Sequence, residues 1–215
     1  MARKTKEDAE ATRRAIQRAA LKLFSTRGVA ETTLSDVAKT AGVTRGAIYW
    51  HFQNKEALLR SLVDEAVSPY EQMALEGERP DEPDPLGKLK TSFAAILADV
   101  AEDAVTRQVF QIWLDRGQLG RRDRGESEQV VFRKRWNTRD KLESIMKNAV
   151  RKGQLPEDFD TRLGAMAVLA FIDGTVLSAL LTPPSKTFKE DMARLTDAFF
   201  HSLHAAPNPY MCAAA

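Results

Sequence analysis

Residues 44–52 read Thr-Arg-Gly-Ala-Ile-Tyr-Trp-His-Phe, a run in which hydrogen-bonding, small and aromatic side chains outnumber those a core would take. Arg45 carries a planar guanidinium that donates two parallel hydrogen bonds to a guanine edge. Gly46 and Ala47 are small enough to let their backbone approach a row of bases. Thr44, Tyr49 and Trp50 reach phosphate oxygens or thymine methyls. A solvent-facing helix seldom exposes two adjacent aromatics without a partner, and a helix entering a major groove has one. The competing reading is a helical hairpin whose aromatics pack on the rest of the protein.

Such a helix must be held by a second one. The preceding segment, Leu34-Ser-Asp-Val-Ala-Lys-Thr-Ala-Gly-Val43, supplies it. Val37, Val43 and Ile48 are apolar where two crossing helices share a core, and Ala38 is small where they cross. Gly42 stands at the turn, where a positive φ is cheap only without a Cβ. Thr44 is placed to cap the second helix, and Thr33 with Asp36 three residues on makes a capping box for the first. Together these offsets describe a helix-turn-helix.

Residues 41–52, Ala-Gly-Val-Thr-Arg-Gly-Ala-Ile-Tyr-Trp-His-Phe, followed by Asn54-Lys55-Glu56, resemble the DNA-binding signature of TetR-family transcriptional repressors. With the opening Met-Ala-Arg-Lys-Thr-Lys-Glu, the chain is most similar to the AcrR-type repressors of multidrug efflux pumps. The resemblance implies that Lys55 and Tyr49 hold phosphates, that Thr33 and Ser35 anchor the first helix of the motif, and that Arg45 reads a base. His51 lies in the same reading head. The specific match covers about the first sixty residues. Where AcrR-like regulators often carry Lys-Cys-Glu late in the sixth helix, this chain reads Leu114-Asp115-Arg116-Gly117-Gln118-Leu119.

The 215 residues suffice for a buried core in one domain or two small ones. The net charge of +2 hides an asymmetry: residues 1–60 hold 12 Lys+Arg against 6 Asp+Glu, or +6, and residues 61–215 hold 20 against 24, or −4. A basic N-terminal module on an acidic body suits a nucleic-acid reader joined to something else. The single cysteine, Cys212, excludes a disulfide framework within the chain and falls in a Pro- and Ala-rich tail expected to be disordered. The N-terminus has charges but no apolar stretch, so no secretory signal is expected.

The remaining pattern is helical throughout, with no convincing alternation of a strand. Ile16, Ala20, Leu23 and Phe24 form one face of a first helix that Gly28 terminates. Asn54 caps a fourth, which Pro69 should end or kink. Residues 77–87, with three prolines, read as a loop. A fifth and a sixth helix follow, then a loop at 117–125 containing Arg121, Arg122 and Arg124. A basic seventh helix stops at Gly153, an eighth spans roughly 161–181, and Thr187 with Glu190 boxes a ninth, whose stripe is Phe188, Met192, Leu195, Phe199 and Leu203. The expected fold is all-α, of about nine helices: a helix-turn-helix DNA-binding domain at 1–53, a ligand-binding and dimerisation bundle at 54–206, and a tail at 207–215.

Residues 163–181 contain one charge, Asp173, over a length that could span a bilayer, so a single-span membrane-associated protein is the rival class. Against it, a mid-span carboxylate is costly in hydrocarbon, and neither an aromatic belt nor a second span accompanies it. The preferred expectation is a buried helix, one face on its own domain and the other on a second subunit. A homodimer is also what specificity requires. One short reading helix makes too little contact, whereas two heads related by a two-fold axis read a palindromic operator with half-sites about 34–36 Å apart.

The bulky residues of helices five to eight are mostly ordinary core by their own pattern. The resemblance implies a large apolar cavity among them for a lipophilic small-molecule inducer, with Phe93, Ile96, Val100, Phe110, Trp113, Leu114, Trp136, Met166, Leu169 and Ile172 as candidate walls. Asp173 is either satisfied by a hidden partner or set to meet a polar or cationic ligand group. The matching Phe-Ile-Asp-Gly segment of similar repressors favours the ligand. The expected function is repression relieved by that ligand, with the fourth helix as lever from Asn54 to Pro69; a metabolic operon in place of an efflux pump is the alternative. No enzyme, cofactor or metal site is expected. The three histidines include only one pair on a helix face, His201 and His204, without the cysteine or acidic pattern of a metal site, and neither a phosphate loop nor a nucleophile elbow occurs.

Overall fold

The computed structural model describes residues 6–118, 126–183 and 185–204, without the side chains of 113–118, 126–137 and 186. Among the described residues the helices are α1 (Lys6–Arg27), α2 (Leu34–Ala41), α3 (Arg45–His51), α4 (Lys55–Leu75), α5 (Pro85–Glu102), α6 (Ala104–Gln118), α7 (Glu126–Arg151), α8 (Thr161–Leu181) and α9 (Lys186–Ser202), with a 3-10 turn at Glu76–Glu78. The loop arginines Arg121, Arg122 and Arg124, and the tail with Cys212, lie outside the described residues.

The chain packs as two units, divided after Val67 inside α4 and after Arg107 inside α6. The first unit gathers Ile16, Leu23 and Phe24 of α1, Val37 and Ala38 of α2, Ile48 of α3, Leu58, Leu62 and Val63 of α4, and Val109 and Ile112 of α6 into one buried cluster. This packed unit continues past residue 53, where a domain boundary was expected, as far as Val67. The first three turns of α4 carry the apolar residues that close this core, so they fold with the reading head. Polar contacts act in the same direction: buried Gln17 donates from Nε2 to Glu65 Oε2 at 2.8 Å, joining α1 to α4.

Pro69 does not end α4; it lies inside the helix. It offers no N–H to the carbonyl four residues back, a cost that interior prolines normally turn into a break. Here the next residue is fastened into the second unit. The Tyr70 hydroxyl donates to the Asp99 carboxylate, and Ser92 Oγ donates to the Tyr70 carbonyl at 2.7 Å. Burial, reinforced by the Asp99 carboxylate, pushes the Tyr70 phenol above its ordinary pKa, so it remains the donor.

The expected loop at 77–87 is shorter than its composition suggests. Gly77 belongs to the 3-10 turn, and Pro85 opens α5, where a missing N–H costs nothing. Asp84 caps that helix by accepting from Gly87 N at 2.8 Å. The start of α9 is also corrected. Ser185, in extended conformation, accepts from Phe188 N at 3.1 Å, so Thr187 falls inside the helix and does not cap it.

The second unit packs α8 against α5 and α7. Phe93 and Val100, Ile145, Met146 and Ala149, and Ala165 and Val168 are its fully buried apolar residues from those three helices. Arg107, in the first turn of α6, closes the end of α8 by donating to the carbonyls of Ala179, Leu180 and Thr182 at 2.9, 2.8 and 3.1 Å. A cation there also opposes the negative end of the helix dipole.

α8 has two faces. Gly164, Ala165, Val168, Thr175, Val176 and Ala179 point inward. Leu163, Met166, Ala170, Gly174, Ser178 and Leu181 are exposed on the opposite side. α9 repeats the arrangement. Thr196, Phe200 and Leu203 are buried, whereas the expected stripe of Phe188, Met192 and Phe199 is only half buried, and Leu195 is exposed. α8 is also, among the described residues, the one helix long and apolar enough to cross a membrane.

Candidate nucleic-acid interface

α2 is built to hold α3. Thr33 Oγ1 accepts from Asp36 N at 3.1 Å, and the Asp36 carboxylate accepts from Thr33 N at 3.0 Å, which completes the capping box. Bonds from the Thr33 hydroxyl and N–H hold the Asp36 carboxyl below its ordinary pKa. Gly42 ends the helix at φ 68°, and Val43 N donates back to the Ala38 carbonyl at 3.0 Å. That left-handed residue reverses the chain, and Thr44 Oγ1 then accepts from Ala47 N at 3.1 Å to start α3.

α3 drives Ile48 fully into the core and ends on Phe52, which is 3% exposed. The side chains left outside are those expected to meet DNA. Thr44, Arg45 and Gly46 are exposed and Ala47 is half buried; Thr33 and Ser35 of the α2 end are also exposed. Tyr49 is 50% exposed and Trp50 73%, so the hairpin with inward-packed aromatics does not form. His51 is half buried, and its ring meets Trp50 edge-on with centroids 4.5 Å apart.

Lys55, expected to hold a phosphate, makes contacts within the protein. Its ammonium donates to the carbonyls of Val29, Ala30 and Thr32 at 2.6, 3.1 and 3.0 Å, tying the start of α4 to the α1–α2 connection. An ammonium has three N–H groups, and these bonds engage all of them within the protein. Sequence reasoning missed one neighbour of the reading helix. The Arg13 guanidinium lies over the Phe52 ring, 4.7 Å from its centroid. The available signal was its spacing: Arg13 precedes Ile16, Gln17 and Ala20 by three, four and seven residues, which places it on the buried face of α1.

Two family descriptions match the chain: residues 16–62 match the bacterial regulatory proteins of the tetR family, and residues 91–205 match the C-terminal domain of BetI-type transcriptional repressors. The chain belongs to the TetR family. Among relatives of this TetR-family chain, the HTH-type transcriptional regulator TtgR of Pseudomonas putida is 37% identical over 207 residues, covering 96% of this chain and 98% of TtgR. The HTH-type transcriptional regulator AcrR of Shigella flexneri is 33% identical over 194 residues, covering 89% and 88%. Among solved structures, SmeT, the repressor of the Stenotrophomonas maltophilia multidrug efflux pump SmeDEF, superposes with TM-score 0.72 at 30% identity, covering 89% of this chain and 91% of SmeT. The SmeT–triclosan complex gives TM-score 0.77 at 27% identity, with 88% and 91% covered.

The candidate ligand residues of this TetR-family chain are distributed unevenly. Phe93 and Val100 are buried in the second unit, with Ile96, Leu169 and Ile172 half buried there. Phe110 is buried and belongs to the first unit. The side chains of Trp113, Leu114 and Trp136 lie outside the described ones. Met166, expected in a cavity wall, is 50% exposed because the register of α8 puts it on the outer face with Leu163 and Gly174. Asp173 is half buried and already engaged by an interaction within the chain. A surface groove of about 550 Å³ lies elsewhere in the second unit, with Leu86, Lys90, Gln154, Phe200, His201 and His204 in its lining. Among the described residues no His, Cys, Asp and Glu cluster is placed to hold a metal.

Proposed function

We propose that this TetR-family chain is a cytoplasmic, non-enzymatic repressor of a multidrug efflux pump operon, acting as a homodimer on a palindromic operator and released by a lipophilic small molecule. The observation that carries the reading is α3: a capped helix fixed in a basic unit, with Tyr49 and Trp50 left exposed beside Arg45 and Gly46. Arg45 then reads a base, Gly46 and Ala47 let the helix backbone approach the bases, and Thr33, Ser35, Thr44, Tyr49, Trp50 and His51 line the contact. The pump assignment is supported by SmeT, named as the repressor of an efflux pump, and the lipophilic ligand by its triclosan complex.

The outer face of α8 and the half-buried stripe of α9 are apolar surfaces that a second copy would cover, as a four-helix contact between subunits. Ligand bound among the core residues of α5, α7 and α8 shifts the population of dimers away from the spacing that fits the operator. By linkage, operator weakens ligand binding by the same factor. The test is a mobility-shift assay on the DNA flanking this chain's own gene, repeated with triclosan and other lipophilic compounds. A shifted duplex released by such compounds is the expected result. A shift that responds to none of them overturns the efflux reading and favours a metabolic operon; no shift on any flanking DNA overturns the repressor reading.

A further inference from the structure

α3 has only seven residues, too few to hold a helical direction alone. Its aim must come from its two ends. The first is secured by the Gly42 turn and the Thr44 cap. At the second end, Phe52 N donates to the Ile48 carbonyl at 2.8 Å, and the Phe52 side chain is buried. Directly on that side chain sits a cation from another helix, with the Arg13 guanidinium carbon 4.7 Å from the ring centroid.

From there a row of rings leads outward. Phe52 and His51 have centroids 6.2 Å apart, and His51 and Trp50 4.5 Å apart. The row begins on α1 at Arg13 and ends at Trp50, the most exposed aromatic of the reading head. Arg13 is suited to its place in two ways. A planar guanidinium stacks on an aromatic face as an ammonium does not. A cation beside the last turn of a helix also offsets its negative end. The adjacent Arg14 makes the contrast: it is exposed, and its nearest acid is Glu10, 3.6 Å away on the same helix.

We propose that Arg13 is a positioning residue for operator recognition: stacked on Phe52, it holds the C-terminal end of α3 and thereby fixes the aim of Trp50. This rests on α3 being the reading helix, so the test has one arm that needs no DNA. The full chain is labelled with 5-fluorotryptophan, and its three tryptophan resonances are followed by fluorine NMR, with that of Trp50 assigned by its loss in Trp50→Phe. In Arg13→Met the Trp50 resonance should shift and broaden while those of Trp113 and Trp136 stay.

The second arm measures affinity for a duplex that the wild-type chain retains from its own flanking DNA, across a range of salt. Arg13→Met should weaken binding about tenfold with an unchanged salt slope, because no phosphate contact is removed. Arg13→Lys, which keeps the charge but not the plane, should fall between the two in both arms, and it carries the test if Arg13→Met fails to fold. An unmoved Trp50 resonance overturns the proposal. So does a salt slope reduced by about one, which would make Arg13 a phosphate contact. A Trp50 resonance that responds to Arg13 in a chain retaining no duplex supports the positioning and overturns the operator reading alone.

Discussion

Lys55 Nζ lies 2.6 Å from the Val29 carbonyl oxygen and also donates to the carbonyls of Ala30 and Thr32. A single side chain at the first turn of α4 thus organises the connection that leads into α2. Backbone carbonyls gathered around one ammonium repel each other once it is gone, so the cost of removing it exceeds that of an ordinary surface lysine.

Lys55→Met should therefore destabilise the chain by about 2 kcal/mol, the scale of hydrogen bonds to a charged group. Urea unfolding followed by circular dichroism measures it. The same variant decides between the two uses of this residue. If Lys55 serves the fold, the salt dependence of operator binding keeps its slope. If it holds a phosphate, the slope falls by about one.

The capping box offers a pH dependence. Asp36 has its pKa below the ordinary 3.8 because it accepts from the Thr33 hydroxyl and N–H. A folded-state value below the unfolded one contributes stability at pH above 3.8, which is lost as pH falls through the folded value. Thr33→Ala should cost about 1 kcal/mol at neutral pH. The gap between the two proteins should narrow as acid protonates Asp36, and parallel pH–stability curves would contradict the assignment.

The helix-turn-helix was legible because each of its constraints is local. A capping box, a left-handed glycine and a capped second helix are written in Thr33, Asp36, Gly42 and Thr44 at fixed offsets, and all four perform as their types predict. Long-range partners were not legible. Nothing near Lys55 announces three carbonyls more than twenty residues earlier, and nothing near Pro69 announces that Asp99 and Ser92 would hold Tyr70 and let the helix continue. The extension of the first packed unit to Val67 was not legible for the same reason, since the partners of Leu58 and Leu62 in α1 are remote in sequence. Ser185 displaced Thr187 as the α9 cap because two nearby hydroxyl residues satisfy the same local rule, and only the backbone conformation chooses between them.

Gly46 separates what the fold needs from what DNA needs. A Cβ built there meets nothing closer than Thr44 Oγ1 at 3.9 Å, and its φ is not in the left-handed region. Gly46→Ala should leave the fold intact and raise its stability by roughly 0.5–1 kcal/mol, as alanine does within a helix. Operator affinity should nevertheless fall, because the methyl stands where the backbone approaches the bases. Thermal unfolding and fluorescence-anisotropy titration with labelled operator give the two readings. A variant that binds as tightly as wild type would remove Gly46 from the interface.

Two glycines of α8 face opposite ways and divide the roles of that helix. A Cβ on Gly164 would lie 2.4 Å from Phe159 Cε1, so Gly164 is required by the chain's own packing. A Cβ on Gly174 meets nothing within 4 Å. Gly164→Ala should lower the melting temperature, since the Phe159 ring must move out of a buried site. Gly174→Arg should leave the helical content of the protomer unchanged, yet place a bulky charge in the apolar outer face with Leu163, Met166 and Leu181. If that face meets a second copy, sedimentation should show a monomer, and operator affinity should drop toward the non-specific range of roughly 10⁻⁴–10⁻⁶ M, because one reading head makes too few contacts. Tight operator binding by a proven monomer, or a dimer that survives Gly174→Arg unchanged, would place the subunit contact on another surface.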